Sequence, residues 1–170
     1  MREDIKNVKL EKLENLKKAG MEVYPEKCKR SFSNAEALKK FDEIKESVFL
    51  VGRVVSNRPM GGSTFCHIED ESGKIQLFLN KKNMDADKFK LFVKSIELGD
   101  FIQVEGEMFE TKTGEKSLKV LDWKILSKTL ESFPTEHFGF KNEEEKYRKR
   151  YLDLFFNKDE REIFVRRSIF

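Results

Sequence analysis

The stretch from Val48 to Ile125 is divided into five short segments that favour β-strands, and their order limits the fold more than any other feature. The first segment is rich in β-branched and aromatic residues. Apolar residues at helical spacing separate the third segment from the fourth. Three strands, a helix and two strands are the order of the OB-fold, a five-stranded Greek-key barrel whose strand 2–3 face binds oligonucleotides. The predicted elements are strands at 48–55, 64–68, 74–79, 101–111 and 115–126, and a helix at 85–95.

Helical segments flank the predicted barrel on both sides. A helix is expected over 4–18, with Ile5, Val8, Leu13 and Leu16 roughly on one face. After a loop, Ser33 caps a second helix that extends to about residue 41, because Glu36 stands at capping-box spacing. The predicted domains are a helical extension (1–46), the barrel (47–128), a connector (129–157) and the start of a further domain (158–170).

The C-terminal residues resemble the beginning of another domain. Charged helices are expected over 143–153 and 159–170, and the second pattern has neither a glycine cap nor a proline stop. We therefore expect the chain to be a fragment that ends just after a second domain begins.

Composition restricts the class of protein. Charged residues make up 38% of the chain but the net charge is only +3, so this is no polybasic arm, and any RNA-binding surface must arise from local clustering. Cys28 and Cys66 form no CxxC pair, and His67 and His137 have no partner at metal-ligand spacing. These features, with no long apolar run and no signal-peptide pattern, indicate a cytoplasmic protein without a membrane anchor or metal site.

Four residues at separated points of the predicted strands have the chemistry needed to bind an unpaired base. Phe65 offers a ring for stacking, and Arg58, Gln76 and Glu115 offer directional hydrogen bonds. Uracil presents an acceptor, an N–H donor and a second acceptor. Arginine only donates and ionised glutamate only accepts, whereas glutamine does either. A glutamate facing that N–H would favour uracil over cytosine, whose corresponding nitrogen accepts.

Each of these residues also has a purely structural interpretation. Phe65 could belong to the core, Arg58 could be a strand-end charge, Gln76 could face solvent, and Glu115 could serve only the turn beside Gly114. Trp123 is expected to pack inside the barrel. The Gly61-Gly62 pair lacks the spacing of a phosphate-binding loop, so we expect only a turn.

Three segments carry a resemblance to a known family. VGRVVSNRPMGGSTFCHIEDESGKIQLF and LGDFIQVEGEMFETKTGEKSL resemble the anticodon-binding domain of class II lysyl-tRNA synthetases. EEEKYRKRYLDLFFNKDEREIFVRRSIF resembles that family's connector and the start of its catalytic-domain motif 1. The resemblance covers about 10–170, and the Gly-Lys-Ile-Gln and Thr-x-Thr-Gly-Glu-x-Ser pieces point to the lysine member.

This resemblance implies a function for the four residues and for the complete protein. Arg58, Phe65, Gln76 and Glu115 fall on the family's anticodon-reading positions, and Gly62 stands where the family usually has a lysine. The complete enzyme would join lysine to tRNA(Lys) with ATP and Mg²⁺, and it would be a homodimer. Motifs 2 and 3 are not in this sequence, so no catalytic, ATP-binding or metal-binding residue is assigned, and the fragment is expected to bind the tRNA anticodon loop without a cofactor.

Four lysines are candidates for contacts with the RNA backbone. Lys9 and Lys12 lie on the first predicted helix, and Lys112 and Lys116 flank the Thr-Gly turn. The alternative is an ordinary solvated face with i,i+4 pairs on the helix, and solubilising lysines at the turn. Alternative functions are a general single-strand nucleic-acid binder, an oligomerisation module, or a fragment of a related aspartate-type synthetase.

Overall fold

The computed structural model describes residues 2–131 and 143–170. The chain forms two compact units, Met1–Ser132 and Phe133–Phe170, and each is considered by itself.

The first unit is built on a closed five-stranded barrel with the strand order β1-β2-β3-β5-β4. Neighbouring strands are antiparallel except β3 and β5, whose parallel pairing closes the barrel. With a helix between β3 and β4, this is the predicted OB-fold architecture. The strands are β1 Val48–Met60, β2 Ser63–Glu69, β3 Lys74–Asn80, β4 Phe101–Glu110 and β5 Lys116–Ser127.

Strict alternation in β2 and β3 decides which side chains form the core. Thr64, Cys66 and Ile68 are buried, whereas Phe65 and His67 between them lie on the outer face. β3 alternates in the same way and turns Gln76 outward. Because successive side chains of a strand point to opposite faces, knowing that one residue is buried determines which residues of the same strand face outward.

The first strand is longer than the sequence pattern predicted. We expected it to end near residue 55, but β1 continues through Pro59 to Met60. Only residues 48–53 of β1 pair with β4, and the remainder pairs with β2 alone. Pro59 therefore lies where one side of the strand needs no donor, and a proline is tolerated there.

Three helices accompany the barrel: α1 Arg2–Lys18, α2 Asn34–Lys39 and α3 Ala86–Ser95. The predicted capping box is present, since Glu36 N–H donates to Ser33 Oγ and the Glu36 carboxylate accepts from Ser33 N–H. α3 buries Phe89 and Phe92, and the Phe92 ring packs edge-on against Trp123. Trp123 is 2% exposed and donates to Lys88 O, which confirms its expected place in the core.

The buried face of α1 differs from the predicted one. Leu13 and Leu16 are buried as expected, but Ile5 and Val8 are 41% and 49% exposed, and Lys9 is buried instead. A cluster of charges explains this exchange. Glu97 accepts from Lys12 and Lys128, and Lys9 Nζ lies 3.9 Å from its carboxylate and donates to Thr129 O.

The second unit contains α4 Glu143–Arg148, α5 Arg150–Phe156 and α6 Lys158–Ile169. The prediction of a single helix over 143–153 is wrong, because α4 ends before Lys149 and a separate helix, α5, begins after it. Arg150 holds the following turn together through ion pairs with Asp153 and Glu160. Residues 132–142 of the predicted connector (129–157) lie outside the described residues.

Within the described ranges, no helix is long and apolar enough to cross a membrane. The same ranges hold no group of three or more acidic, histidine or cysteine side chains arranged to bind a metal ion.

Candidate nucleic-acid interface

The outer face of β2 and β3 forms one wall of a pocket of about 540 Å³. All four residues selected from the sequence as base-reading candidates line it. The lining residues are Arg58, Met60, Phe65, His67, Gln76, Phe78, Phe109, Thr111, Lys112, Thr113 and Glu115.

Strand pairing brings these residues together from distant parts of the chain. Phe65 is the register partner of Arg58 on β1 and of Phe78 on β3. Gln76 pairs with His67 on β2 and, across the closure of the barrel, with Ser117 on β5. Paired side chains on one sheet face lie about 4.5–5.5 Å apart at Cβ, so the barrel presents them as a single surface.

Three phenylalanines form the apolar part of the pocket. The ring centroids of Phe65 and Phe78 are 5.1 Å apart, and those of Phe78 and Phe109 are 5.8 Å apart, both pairs tilted. All three rings are partly exposed. An exposed row of rings whose neighbours are polar suits a flat, partly polar ligand that stacks on one ring and reaches hydrogen-bonding groups at its edge.

The polar part of the pocket is centred on Gln76. Its amide Nε2 donates to Glu115 Oε2 at 2.7 Å, and its Oε1 accepts from Ser117 Oγ at 2.8 Å. These bonds fix the orientation of the amide. Gln76 retains one N–H, and the Glu115 carboxylate retains free lone pairs. The pair can therefore offer a donor and an acceptor side by side to a ligand.

A tight turn between β4 and β5 places Glu115 over the barrel. Thr111 N–H donates to Glu115 O at 3.0 Å, and Glu115 N–H donates to Thr111 Oγ1 at 3.0 Å. Gly114 has a φ of +82°, a conformation that glycine adopts without a steric penalty. The Thr-x-Thr-Gly-Glu sequence thus forms the support for the carboxylate. Glu115 therefore both takes part in the turn and lines the pocket.

Sequence reasoning missed several pocket residues. Phe78 stands two positions after Gln76, so strand alternation could have placed it on the same face. His67 stands two positions after Phe65, so the same alternation places it on this face, but it had been considered only as a metal ligand. Its Nδ1 is 2.8 Å from Ser56 Oγ and its Nε2 is 3.5 Å from Glu115 Oε1. Phe109 reaches the pocket only because the barrel closes, and no local pattern indicates that.

The four lysines that are candidates for contacts with the RNA backbone lie in different environments. Lys112 lines the pocket and is exposed, so it supplies positive charge at the rim together with Arg58. Lys116 lies 4.6 Å from the centre of the Phe41 ring and 3.9 Å from the Asp42 carboxylate.

Lys9 and Lys12 both pair with protein groups beside α1, and their interpretation as phosphate contacts stays a prediction. Lys9 is 7% exposed, and burial lowers the pKa of its ammonium group. Lys12 donates to Glu97 at 2.7 Å. Both ammonium groups are therefore occupied by protein partners on α1's buried side.

The glycine at the first turn is covered by a lysine from another part of the chain. A Cβ atom added to Gly62 would lie 3.0 Å from Lys81 Cε and 3.4 Å from Lys81 Cδ. Lys81 N–H also donates to Gly62 O at 3.2 Å. The turn therefore carries a lysine side chain, supplied by the segment after β3.

Comparison with known proteins agrees with this geometry. Residues 48–126 match the family model of the tRNA anticodon type, described as an OB-fold nucleic acid binding domain. The chain is 37% identical over 166 residues to a lysine–tRNA ligase of Carboxydothermus hydrogenoformans, covering 97% of this chain and 34% of that protein. It is 39% identical to the enzyme of Chloroflexus aurantiacus, with 97% and 34% covered. For the Methanospirillum hungatei enzyme, the values are 41%, 94% and 33%.

The chain thus spans about a third of the length of the relatives that it matches. The matched region contains the barrel and nearly all of the flanking helices. The alternative function, a general single-strand nucleic-acid binder, would account for the barrel but not for this similarity along the whole chain. The chain is therefore a homologue of the lysine–tRNA ligases, and its residues 48–126 form an anticodon-binding OB-fold domain.

Proposed function

We propose that the pocket on the β2–β3 face binds the anticodon loop of tRNA(Lys), with Phe65 stacking on one base and Arg58, Gln76 and Glu115 reading base edges. The observation that supports this proposal most directly is the Gln76–Glu115 pair beside the phenylalanine row. The pair leaves a donor and an acceptor at adjacent positions of an aromatic surface.

The hydrogen-bonding capacity of this surface matches uracil. Glu115 accepts from the base N–H, Gln76 uses its remaining N–H toward one carbonyl, and Arg58 donates to another acceptor. A cytosine at the same place brings a ring nitrogen that accepts, so Glu115 would face a lone pair. An unmatched group of this kind costs about 1–3 kcal/mol. The pocket thus favours uracil.

Affinity that is independent of sequence comes from the cationic rim. Lys112 and Arg58 lie at the edge of the pocket, and Lys81 lies across the first turn. Contacts from such side chains to phosphates release counterions, so this part of the binding weakens as the salt concentration rises. Stacking and edge hydrogen bonds depend less on salt.

We infer that the complete protein joins lysine to tRNA, using ATP and Mg²⁺, in the cytoplasm and as a homodimer. The relatives support this reaction, since each is a lysine–tRNA ligase. This chain contributes recognition of the tRNA, and the residues that carry out the reaction are expected elsewhere in the complete enzyme.

The deciding experiment compares two anticodon stem-loops at two salt concentrations. One loop carries the lysine anticodon UUU, and in the other the middle uracil is replaced by cytosine. We expect a preference for uracil of roughly 5- to 150-fold, corresponding to about 1–3 kcal/mol, that persists at the higher salt concentration. Equal binding to both loops that disappears with salt would reduce the face to a charged surface and favour the general single-strand binder.

A further inference from the structure

A line of polar contacts crosses the outer face of the barrel through His67. Ser56 Oγ on β1 is 2.8 Å from His67 Nδ1 on β2, and His67 Nε2 is 3.5 Å from Glu115 Oε1. The second oxygen of Glu115 accepts from Gln76 on β3, which in turn accepts from Ser117 on β5. Glu115 is therefore approached from two sides, by the imidazole at one oxygen and by the amide at the other.

For a neutral imidazole, the chemistry of these groups favours one arrangement of protons. An ionised carboxylate can only accept, so a hydrogen on His67 Nε2 that faces Glu115 across 3.5 Å is the favourable arrangement. His67 Nδ1 is then the acceptor, and the Ser56 hydroxyl must donate to it. At the far end, Ser117 donates to Gln76 Oε1 and Gln76 Nε2 donates to Glu115. Every donor in the line points toward the carboxylate.

The surroundings of Glu115 explain why a second donor matters. Its side chain is 50% exposed and stands at the end of a turn, where a glutamate retains freedom about its side-chain bonds. Gln76 holds one oxygen only. His67, 24% exposed and held by Ser56, limits the rotation of the carboxylate from the opposite side. Charged groups on the remaining sides of the pocket are Arg58 and Lys112.

We propose that His67 is a positioning residue for base recognition, which holds the Glu115 carboxylate where it meets the N–H of a uracil. This inference rests on the proposed function, because it assigns a role within the same pocket. His67 acts through Glu115 and need not touch the RNA. Its contribution is therefore to discrimination between uracil and cytosine more than to overall affinity.

Two substitutions separate this role from a general structural one. His67→Phe keeps a ring of similar size and removes both nitrogens, whereas His67→Gln keeps an N–H donor that can reach Glu115. We expect His67→Phe to reduce the preference for the UUU loop over the UCU loop roughly two- to tenfold, as for loss of one ordinary hydrogen bond. Binding of the UCU loop should stay within about twofold of wild type. His67→Gln should restore most of the preference.

The outcomes distinguish the inference from the proposed function. If wild type does not discriminate between the loops, the proposed function fails and the role of His67 fails with it. If wild type discriminates and His67→Phe does so equally well, or weakens both loops alike, only the positioning role is overturned.

A second measurement is made on the wild-type protein. The proton arrangement predicts that the free wild-type protein carries the imidazole hydrogen of His67 on Nε2, which two-bond ¹H–¹⁵N spectra of the ring report. The sequence contains only one other histidine, His137, so the spectrum of His67→Gln assigns the signals. A His67 ring with its hydrogen on Nδ1 would overturn the inference.

Discussion

Lys128 and Asp100 form an ion pair of 2.8 Å whose two side chains are both 0% exposed. Asp100 also accepts from the backbone N–H groups of Glu97 and Thr129 at 2.8 Å each. Burial raises the pKa of Asp100, and Lys128 opposes that shift. The pair thus depends on complete hydrogen bonding for its place in the interior.

Removal of the lysine should be strongly destabilising. We expect Lys128→Met to lower the free energy of unfolding by about 3–5 kcal/mol, because it leaves the Asp100 charge buried without its partner. Lys119→Met, in the strand β5 that ends just before Lys128, is the matched control. Its ammonium group pairs with Glu107 at the surface, where loss of an ion pair costs at most about 1 kcal/mol. Urea denaturation measures both, and similar values for the two variants would contradict the prediction.

Gly106 is required where β4 and β5 approach each other. A Cβ atom at this position would lie 2.2 Å from the backbone oxygen of Lys119, next to a register shift between the strands. Gly106→Ala must therefore move the backbone, and we expect a loss of at least about 2 kcal/mol in the free energy of unfolding. Glu107→Ala, one residue further on, serves as the control. Thermal denaturation that shows equal stability for both variants would disprove this reading of the contact.

Acid should weaken the contact between α2 and the β2–β3 turn through Asp70. Burial raises the pKa of this carboxylate, but hydrogen bonds from Ser72 and from the N–H groups of Asn34, Ser72 and Gly73 outweigh burial, so its pKa lies below the ordinary value. The stabilisation is then fully present above the unfolded-state pKa, about 4, and is lost as the pH falls through the lower folded-state pKa.

Asp70→Asn should accordingly flatten the dependence of stability on pH below about pH 4. Asp42→Asn, at a side chain that is 89% exposed, is the control. Denaturation curves collected at several acidic pH values test this expectation, and an unchanged slope in Asp70→Asn would count against it.

Phe65 should carry more of the RNA affinity than a phenylalanine elsewhere on the barrel. We expect Phe65→Ala to weaken binding of the UUU stem-loop roughly 10- to 100-fold, since stacking contributes about 1–3 kcal/mol per base. Phe101→Ala is the control, because Phe101 lies on β4 outside the pocket and packs against Arg53. Fluorescence anisotropy with labelled RNA measures both. Binding by Phe65→Ala as tight as wild type would exclude stacking on this ring.

The two cysteines should differ sharply in reactivity. Cys28 is exposed, whereas Cys66 is 0% exposed and burial raises the pKa of its thiol well above the ordinary range. Because the thiolate is the reactive form, one thiol per chain should react rapidly with a disulfide reagent in the native protein. The second should react only on unfolding. Cys28→Ser should abolish the rapid phase, and a remaining rapid phase would show that Cys66 is accessible.

The fold was predictable because its signals are local. Strand alternation placed Phe65 and Gln76 on one outer face, and the capping box at Ser33 and Glu36 located α2. The 2.7 Å bond between Gln76 and Glu115 was not predictable, since 39 residues separate them and only barrel closure joins them. The burial of Lys9 was not predictable for the same reason. Hydropathy assigns a lysine to solvent, but Glu97 and Thr129, far along the chain, pair with its ammonium group.

Because the parallel ladder between β3 and β5 is short, ligand binding in the pocket should depend on whether the barrel is closed at this point. Gln76 and Ser117 pair within a ladder that spans only 76–78 and 117–119, and Glu115 stands just before it. A transient opening at this seam would separate the Gln76 amide from both partners while leaving the phenylalanines of β2 and β3 in place. A ligand that bridges the two strands binds only the closed form, so it should slow amide hydrogen exchange along this ladder more than in the antiparallel strands. Sequence-selective binding and closure of the β3–β5 ladder are then linked, so a change that favours the open ladder should also weaken selective binding.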